Sequence, residues 1–162
     1  MRVLRVIQAF GAFGVCGAVA VAAGGCATSA VLEQELTKTN TQTVLAFEET
    51  VFNKHEVQEA FAHYVGPSFI QHTPRLLVDR DAALQAYEQL VTRQFPDSRL
   101  MVERTVAQAD VVVTQGRWQQ GLGGALPIAV VDIYRLRDGR IVEHWDVVQD
   151  GEPALAATLP AR

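Results

Sequence analysis

The stretch from Leu126 to Gln149, LPIAVVDIYRLRDGRIVEHWDVVQ, limits the possible folds more than any other part of the chain. It reads as two long strands joined by a tight turn at Asp138-Gly139. Asp-Gly between apolar, β-branched runs is the strongest short-range signal for a hairpin. The runs are interrupted by Asp132, His144 and Asp146. An ionisable group inside a buried strand costs free energy unless it is paired or put to use. The hairpin is therefore where function is expected.

The loop length decides which side chains share a face. A two-residue turn sets Asp132 opposite Trp145 and Tyr134 opposite Glu143. A three-residue loop, Arg137-Asp138-Gly139 with Gly139 in a left-handed bulge, sets Asp132 opposite His144 and Val130 opposite Asp146. The second register is favoured. It gathers Asp132, His144 and Asp146 on one face with Tyr134 and Val142, and leaves Val131, Ile133, Glu143 and Trp145 on the other. A slip of one residue inverts the assignment.

Upstream, the apolar period is helical. Val44, Phe47 and Val51, with Leu45 and Phe52 beside them, make a stripe over Thr39 to Asn53. Asn53 reads as an N-cap with Glu56 three residues on. Val57, Phe61 and Tyr64 then give a second helix, ended by Gly66-Pro67. Ser68 to Thr73 is a short extended piece. Asp79 or Asp81 can cap a third helix with Leu84, Tyr87, Leu90 and Val91 inward, closed by Phe95-Pro96-Asp97. From Arg99 the period drops to two, with a turn at Ala109-Asp110, a strand over Val111 to Gln119 and a glycine-rich connection, Gly121 to Gly124. Helices first and strands after predict one α+β domain. About three N-terminal helices pack on a curved antiparallel sheet, with a conical pocket between the layers.

Residues 1–25 read as a signal peptide of the lipoprotein type. Arg2 and Arg5 precede an apolar run, and Ala23-Gly24-Gly25-Cys26 is similar to a lipobox with Cys26 as the lipidated residue. Residues 26–38 then form a polar tether, 39–150 the folded domain and 151–162 a tail. The expected location is the cell envelope, lipid-anchored, on the periplasmic side if the source is Gram-negative. An uncleaved membrane anchor and plain cleavage near Ala27, which would give a secreted protein, are the alternatives. Cys16 would leave with the leader, so no intrachain disulfide is available. Without Arg2 and Arg5 there are 12 basic side chains against 18 acidic, a balance of −6. No basic patch is visible, and nucleic acid is not expected as a partner.

An imidazole beside a carboxylate in an apolar cavity is a candidate acid/base pair, the carboxylate holding the tautomer and supporting the charged ring. Asp132, His144 and Asp146 meet that description, or else form a buried structural cluster. His72, after Phe69 and Ile70, is a further candidate pointing from a strand end toward a pocket mouth, while Gln71 points the other way. Tyr64, Tyr87, Trp118 and Tyr134 are candidate pocket walls, with Phe61 and Phe95 in the core. His55 and His63 occupy polar helical positions. No HExxH-type ligand motif, phosphate-binding loop or G-x-S-x-G elbow occurs.

Three motifs occur in order: Phe69-Ile-Gln-His-Thr-Pro74, Val131-Asp-Ile-Tyr-Arg135 and Asp138-Gly-Arg-Ile-Val-Glu-His-Trp-Asp146. Together they resemble the SnoaL-like polyketide cyclases of the nuclear transport factor 2-like (NTF2-like) superfamily, from about Thr39 to Gln149. The resemblance implies an NTF2-like cone, often a homodimer, with an apolar pocket for a small hydrophobic molecule and no metal or organic cofactor. It implies His72, Asp132, His144 and Asp146 as pocket residues. It also implies a choice between cofactor-free isomerase, cyclase or hydrolase chemistry and a non-catalytic ligand-binding or dimerisation module, since relatives on this fold do several of these things.

Overall fold

The computed structural model describes residues 23–73, 76–121 and 127–149. Most of the expected leader, the connection after Gly121 and the expected C-terminal tail lie outside the described residues. The three helices are α1 (Ala23–Glu48), α2 (Val57–Tyr64) and α3 (Arg80–Glu88), with the first two strands lying between α2 and α3. The strands are β1 (Val65–Thr73), β2 (Leu76–Asp79), β3 (Arg99–Gln108), β4 (Val111–Gln119), β5 (Ile128–Arg137) and β6 (Arg140–Gln149). They form one six-stranded sheet in the order β2-β1-β6-β5-β4-β3. The helices cover one face of it, the α+β layering expected from the sequence, although β1 and β2 precede α3.

Three features differ from the sequence expectation. The sheet is mixed rather than antiparallel, because β1 runs parallel to β6. Strand β2, absent from the reading, folds back on β1 with Ile70 opposite Asp79. The segment expected to be a tether, 26–38, is wound into α1, which begins at Ala23. Its side chains from Ser29 to Leu36 are exposed, which explains why no apolar period marks it as helix. Among the described residues no helix is long and apolar enough to cross a membrane.

The stripe Val44, Phe47 and Val51 is fully buried, against Phe61, Val65, Val112, Tyr134 and Ile141. Its aromatic members meet at ring distances typical of favourable edge contacts, Phe47 to Phe61 at 5.8 Å and Phe47 to Tyr134 at 6.0 Å. Both α1 and α3 end in a widened π turn, Glu49–Asn53 and Gln89–Gln94. Such turns gather at functional sites because they re-aim side chains. Asn53 does not cap α2 as its sequence context suggests. Its amide bonds both backbone groups of Leu100, at 2.9 and 3.1 Å, and docks β3 against the π turn. Asp79 does cap α3, accepting from the Ala82 amide at 3.0 Å.

The hairpin turn has two residues, with Arg137 opposite Arg140 and both Asp138 and Gly139 at positive φ. That is the backbone of a type I′ turn, which Asp-Gly suits. Neither of the two expected registers follows. Between the pairs Arg135–Glu143 and Leu136–Ile141 strand β6 holds one extra residue, Val142, a β-bulge. Beyond it Asp132 lies opposite Asp146, and Tyr134 opposite His144. The face expected from the three-residue register is thus recovered by a different route. The turn alone would have put His144 on the wrong side, and the bulge restores it.

At the other end of the sheet, Gly116 lies opposite Val102, and a Cβ there would sit 2.6 Å from the Met101 carbonyl oxygen. The obstacle is backbone, so the strands would have to part. Gly116→Ala is expected to lower stability by about 1–3 kcal/mol, read as a reduced urea midpoint with an unchanged slope.

Candidate functional site

His144 and Asp132 stand diagonally across the β5–β6 pair on the helix-covered face, 2% and 7% exposed. The Nε2 of His144 is 3.0 Å from Oδ1 of Asp132. Its Nδ1 is 2.8 Å from Oε1 of Gln71 and 3.0 Å from the Tyr87 hydroxyl. The ring lies flat on Tyr134, at 4.4 Å and 15°. Gln71 bridges onward, its amide donating to Oδ1 of Asp146 at 3.1 Å. This arrangement offers partners in two proton states of the imidazole. A neutral ring donates from Nε2 to Asp132 and accepts the Tyr87 hydroxyl at Nδ1. A charged ring donates from Nδ1 to Gln71 as well. A group with partners in both states is equipped for proton exchange.

His144, Asp132, Asp146, Gln71 and Tyr87 line a cavity of about 330 Å³ whose other walls include Phe52, Leu90, Leu100, Trp118 and Val130. The volume lies at the small end of ligand sites, and polar groups gathered in apolar walls are their usual composition. Both π turns contribute a wall residue, Phe52 and Leu90. Two roomier clefts, about 490 and 660 Å³, lie on the surface. In the first, Arg80 and Arg140 donate to the Phe61 and Ala62 carbonyls at the end of α2, so their charges serve the helix. Neither cleft holds a comparable grouping of acid and base. No three His, Cys, Asp or Glu side chains among the described residues gather as a metal site would.

Of the residues singled out in the sequence, Asp132, His144 and Asp146 come together, and Tyr87 and Trp118 line the cavity. His72 does not. It faces the outer side of the sheet, stacked on Trp145 at 4.4 Å and bonded to Glu143 at 3.0 Å. Burial pushes the Glu143 carboxyl up, but the bonds from His72 and Arg135 outweigh it and hold the group below its ordinary value. In an extended strand neighbours alternate, so placing His72 outside places Gln71 inside. Tyr64 packs at the core's margin and Tyr134 supports His144 from beneath, so neither forms the cavity wall. His55 is not a free helical side chain: it sits at φ 61° between helices with Nε2 3.1 Å from the Ser98 carbonyl.

One residue went unremarked in the sequence. Glu48, at the end of α1, is 1% exposed. Its Oε1 accepts the Thr114 hydroxyl at 2.6 Å and the Tyr134 hydroxyl at 3.1 Å, while Oε2 is buried without a hydrogen-bond partner. The signal was a carboxylate four residues after Val44 and three before Val51, on the apolar stripe itself. Burial, with the nearby Asp132 charge adding to it, pushes the carboxyl up to about 8 although both hydroxyls pull it down. Burial likewise pushes the Tyr87 and Tyr134 hydroxyls well above their usual range, so both remain donors.

Glu48 binds a proton more tightly folded than unfolded. Its contribution to stability is complete below about 4.5, the unfolded value, and is lost as pH rises toward about 8. The slope is at most about 1.4 kcal/mol per pH unit. The melting temperature of the protein should therefore fall between pH 6 and 8. Glu48→Gln should flatten that fall and melt higher than the parent at pH 8.5.

The model of the SnoaL-like polyketide cyclase family matches residues 42–154, more than half of the chain. No curated protein matches it significantly. Among solved structures, it is similar to a candidate SnoaL-like polyketide cyclase from Jannaschia sp. CCS1, with 20% identity and a TM-score of 0.62 over 75% of this chain and 90% of that one. It is similar to a loop-truncation variant of IdmH, a candidate polyketide cyclase of Streptomyces antibioticus, with 24% identity and a TM-score of 0.60 over 67% and 91%. An NTF2-like protein from Mesorhizobium loti gives 20% and 0.59 over 70% and 93%. At these identities the structures show the shared NTF2-like fold, and the family match shows the rest: the chain belongs to the SnoaL-like polyketide cyclase family.

Proposed function

We propose that this domain binds a small, neutral, largely apolar molecule in the 330 Å³ cavity and acts on it by acid/base chemistry at Asp132 and His144, without a cofactor. The observation carrying this reading is the 3.0 Å contact between His144 Nε2 and Asp132 at the polar side of an otherwise apolar cavity. The pair can take a proton from a carbon beside a carbonyl, or give one to an epoxide or enolate oxygen, with Asp132 balancing the charge on the ring. No lysine or arginine lines the cavity among the described residues, and Asp132 and Asp146 do. Anionic substrates are disfavoured by that charge.

A second reading is binding without turnover. Both nitrogens of His144 are engaged by Asp132, Gln71 and Tyr87, so a substrate reaching Nδ1 must displace one of the last two. Native mass spectrometry of protein purified from cells distinguishes them. A ligand retained and recovered unchanged speaks for binding, and a ligand converted on incubation speaks for catalysis. With a converted ligand in hand, Asp132→Asn should lower turnover at least about a hundredfold while the melting temperature stays near that of the parent. Loss of folding instead would make the pair structural.

We further propose that the protein is an envelope lipoprotein held at Cys26, and that it pairs with a second copy through the outer sheet face, where Val131, Ile133 and Trp145 are half-buried and Val147 is exposed. Cys26→Ser should move it from the membrane fraction to the soluble one. There it should sediment at twice the chain mass. A membrane-bound variant, or a monomer, would refute the corresponding half of this proposal.

A further inference from the structure

Glu48 is a buried carboxyl outside the cavity lining, and the acid/base reading makes no use of it. It sits where α1 widens into its π turn, and its Oε1 collects the hydroxyls of Thr114 from β4 and Tyr134 from β5. Among the described residues no lysine, arginine or histidine forms an ion pair with it. The titratable groups around it are Tyr134 and Asp132 on β5 and Tyr87 on α3, with His144 of β6 stacked on the face of the Tyr134 ring. Every neighbour that carries charge at neutral pH and acts on Glu48 directly is therefore acidic.

We propose that Glu48 is a positioning residue for the Asp132–His144 pair, fixing through the Tyr134 hydroxyl the ring on which His144 lies and placing a second ionisable group against Asp132. The geometry gives it two levers. The first is mechanical. Tyr134 is fully buried, its hydroxyl bonds Glu48, and its face carries the His144 ring, so the orientation of the imidazole depends on a residue it never touches. The second is electrostatic. The unpartnered Oε2 makes the ionised form costly, and the neutral acid adds no charge to those of Asp132 and Asp146, which line the cavity. Ionisation of Glu48, held off to about pH 8, would add a third negative charge beneath the pair. The imidazole would respond, because charges buried as Glu48 and His144 are interact through a medium that screens far less than water.

This inference rests on the acid/base reading of the pair, but its test needs no substrate, so the two can fail separately. Protein labelled with ¹³C at histidine is titrated from pH 5 to 10 by NMR, and His144 is assigned by its loss in His144→Gln. The His144 ring signals should show an inflection between about pH 7 and 9 in the parent. Glu48→Gln keeps an oxygen for the two hydroxyls and removes the ionisation, so that inflection should disappear, while the ring signals of His63 and His72 stay as in the parent. Tyr134→Phe keeps the ring beneath His144 and removes one hydroxyl that favours the carboxylate, so the inflection should persist at higher pH. It also serves if Glu48→Gln does not fold. An inflection unchanged in Glu48→Gln, or unmoved in Tyr134→Phe, overturns the proposal. So does a Glu48 carboxyl carbon, followed by ¹³C in the parent, that titrates near 4.5.

Discussion

A single extra residue in β6 decides which side chains in this molecule can meet. The two-residue Asp138-Gly139 turn fixes the first pair of the hairpin, and from there a regular ladder would set Asp132 opposite Trp145. The bulge at Val142 moves β6 by one place. His144 and Asp146 then share the helix-covered face with Asp132 and Tyr134, and Trp145 and Glu143 take the outer face. Side chains in a strand alternate strictly, so no smaller adjustment could have done this. The polar cluster, the cavity and the stacking of His144 on Tyr134 all follow from that one insertion.

The inner face shows how buried polar groups come to be tolerated. His144 has partners on both nitrogens, and Gln71 joins it to Asp146. Glu48 and Thr114 extend the network through Tyr134, where the helices reach the sheet. A half-satisfied network costs more than an apolar core, and among the described residues here one oxygen of Glu48 and the indole nitrogen of Trp118 on the cavity wall are left without a partner. For Glu48, keeping the proton on avoids the larger cost of burying a charge. The outer face repeats the theme in water: His72, Glu143 and Arg135 pair across the strands around Trp145.

Most of the fold was legible because its signals are local. Helical stripes, the Asp79 cap, the Ala109-Asp110 turn and the period-two strands each depend on a few neighbouring residues, and the structure keeps them. The sites of error share the opposite property. Whether His72 or Gln71 faces the cavity depends on how β1 pairs with β6, about seventy residues away. The Val142 bulge leaves no residue signature, since valine suits a regular strand equally well. The exposed half of α1 lacks the apolar period that marks a helix packed along its length. Glu48 alone was readable, as a carboxylate on an otherwise apolar stripe.

The parallel pairing of β1 with β6 has a consequence for how the protein is made. Gln71 reaches His144 only when the last strand lies against the first, so the cavity's polar side joins distant parts of the chain. Closing so long a loop comes before any contact rewards it, and such pairings form slowly. A growing chain emerging from the ribosome can complete its helices and β1 while β6 is still unmade. During that interval the inner face of β1 has no neighbour on one side, and its edge is open to other strands. The element that finishes the site is thus also the one that joins the two parts of the sheet, and a chain truncated before it would lose both together.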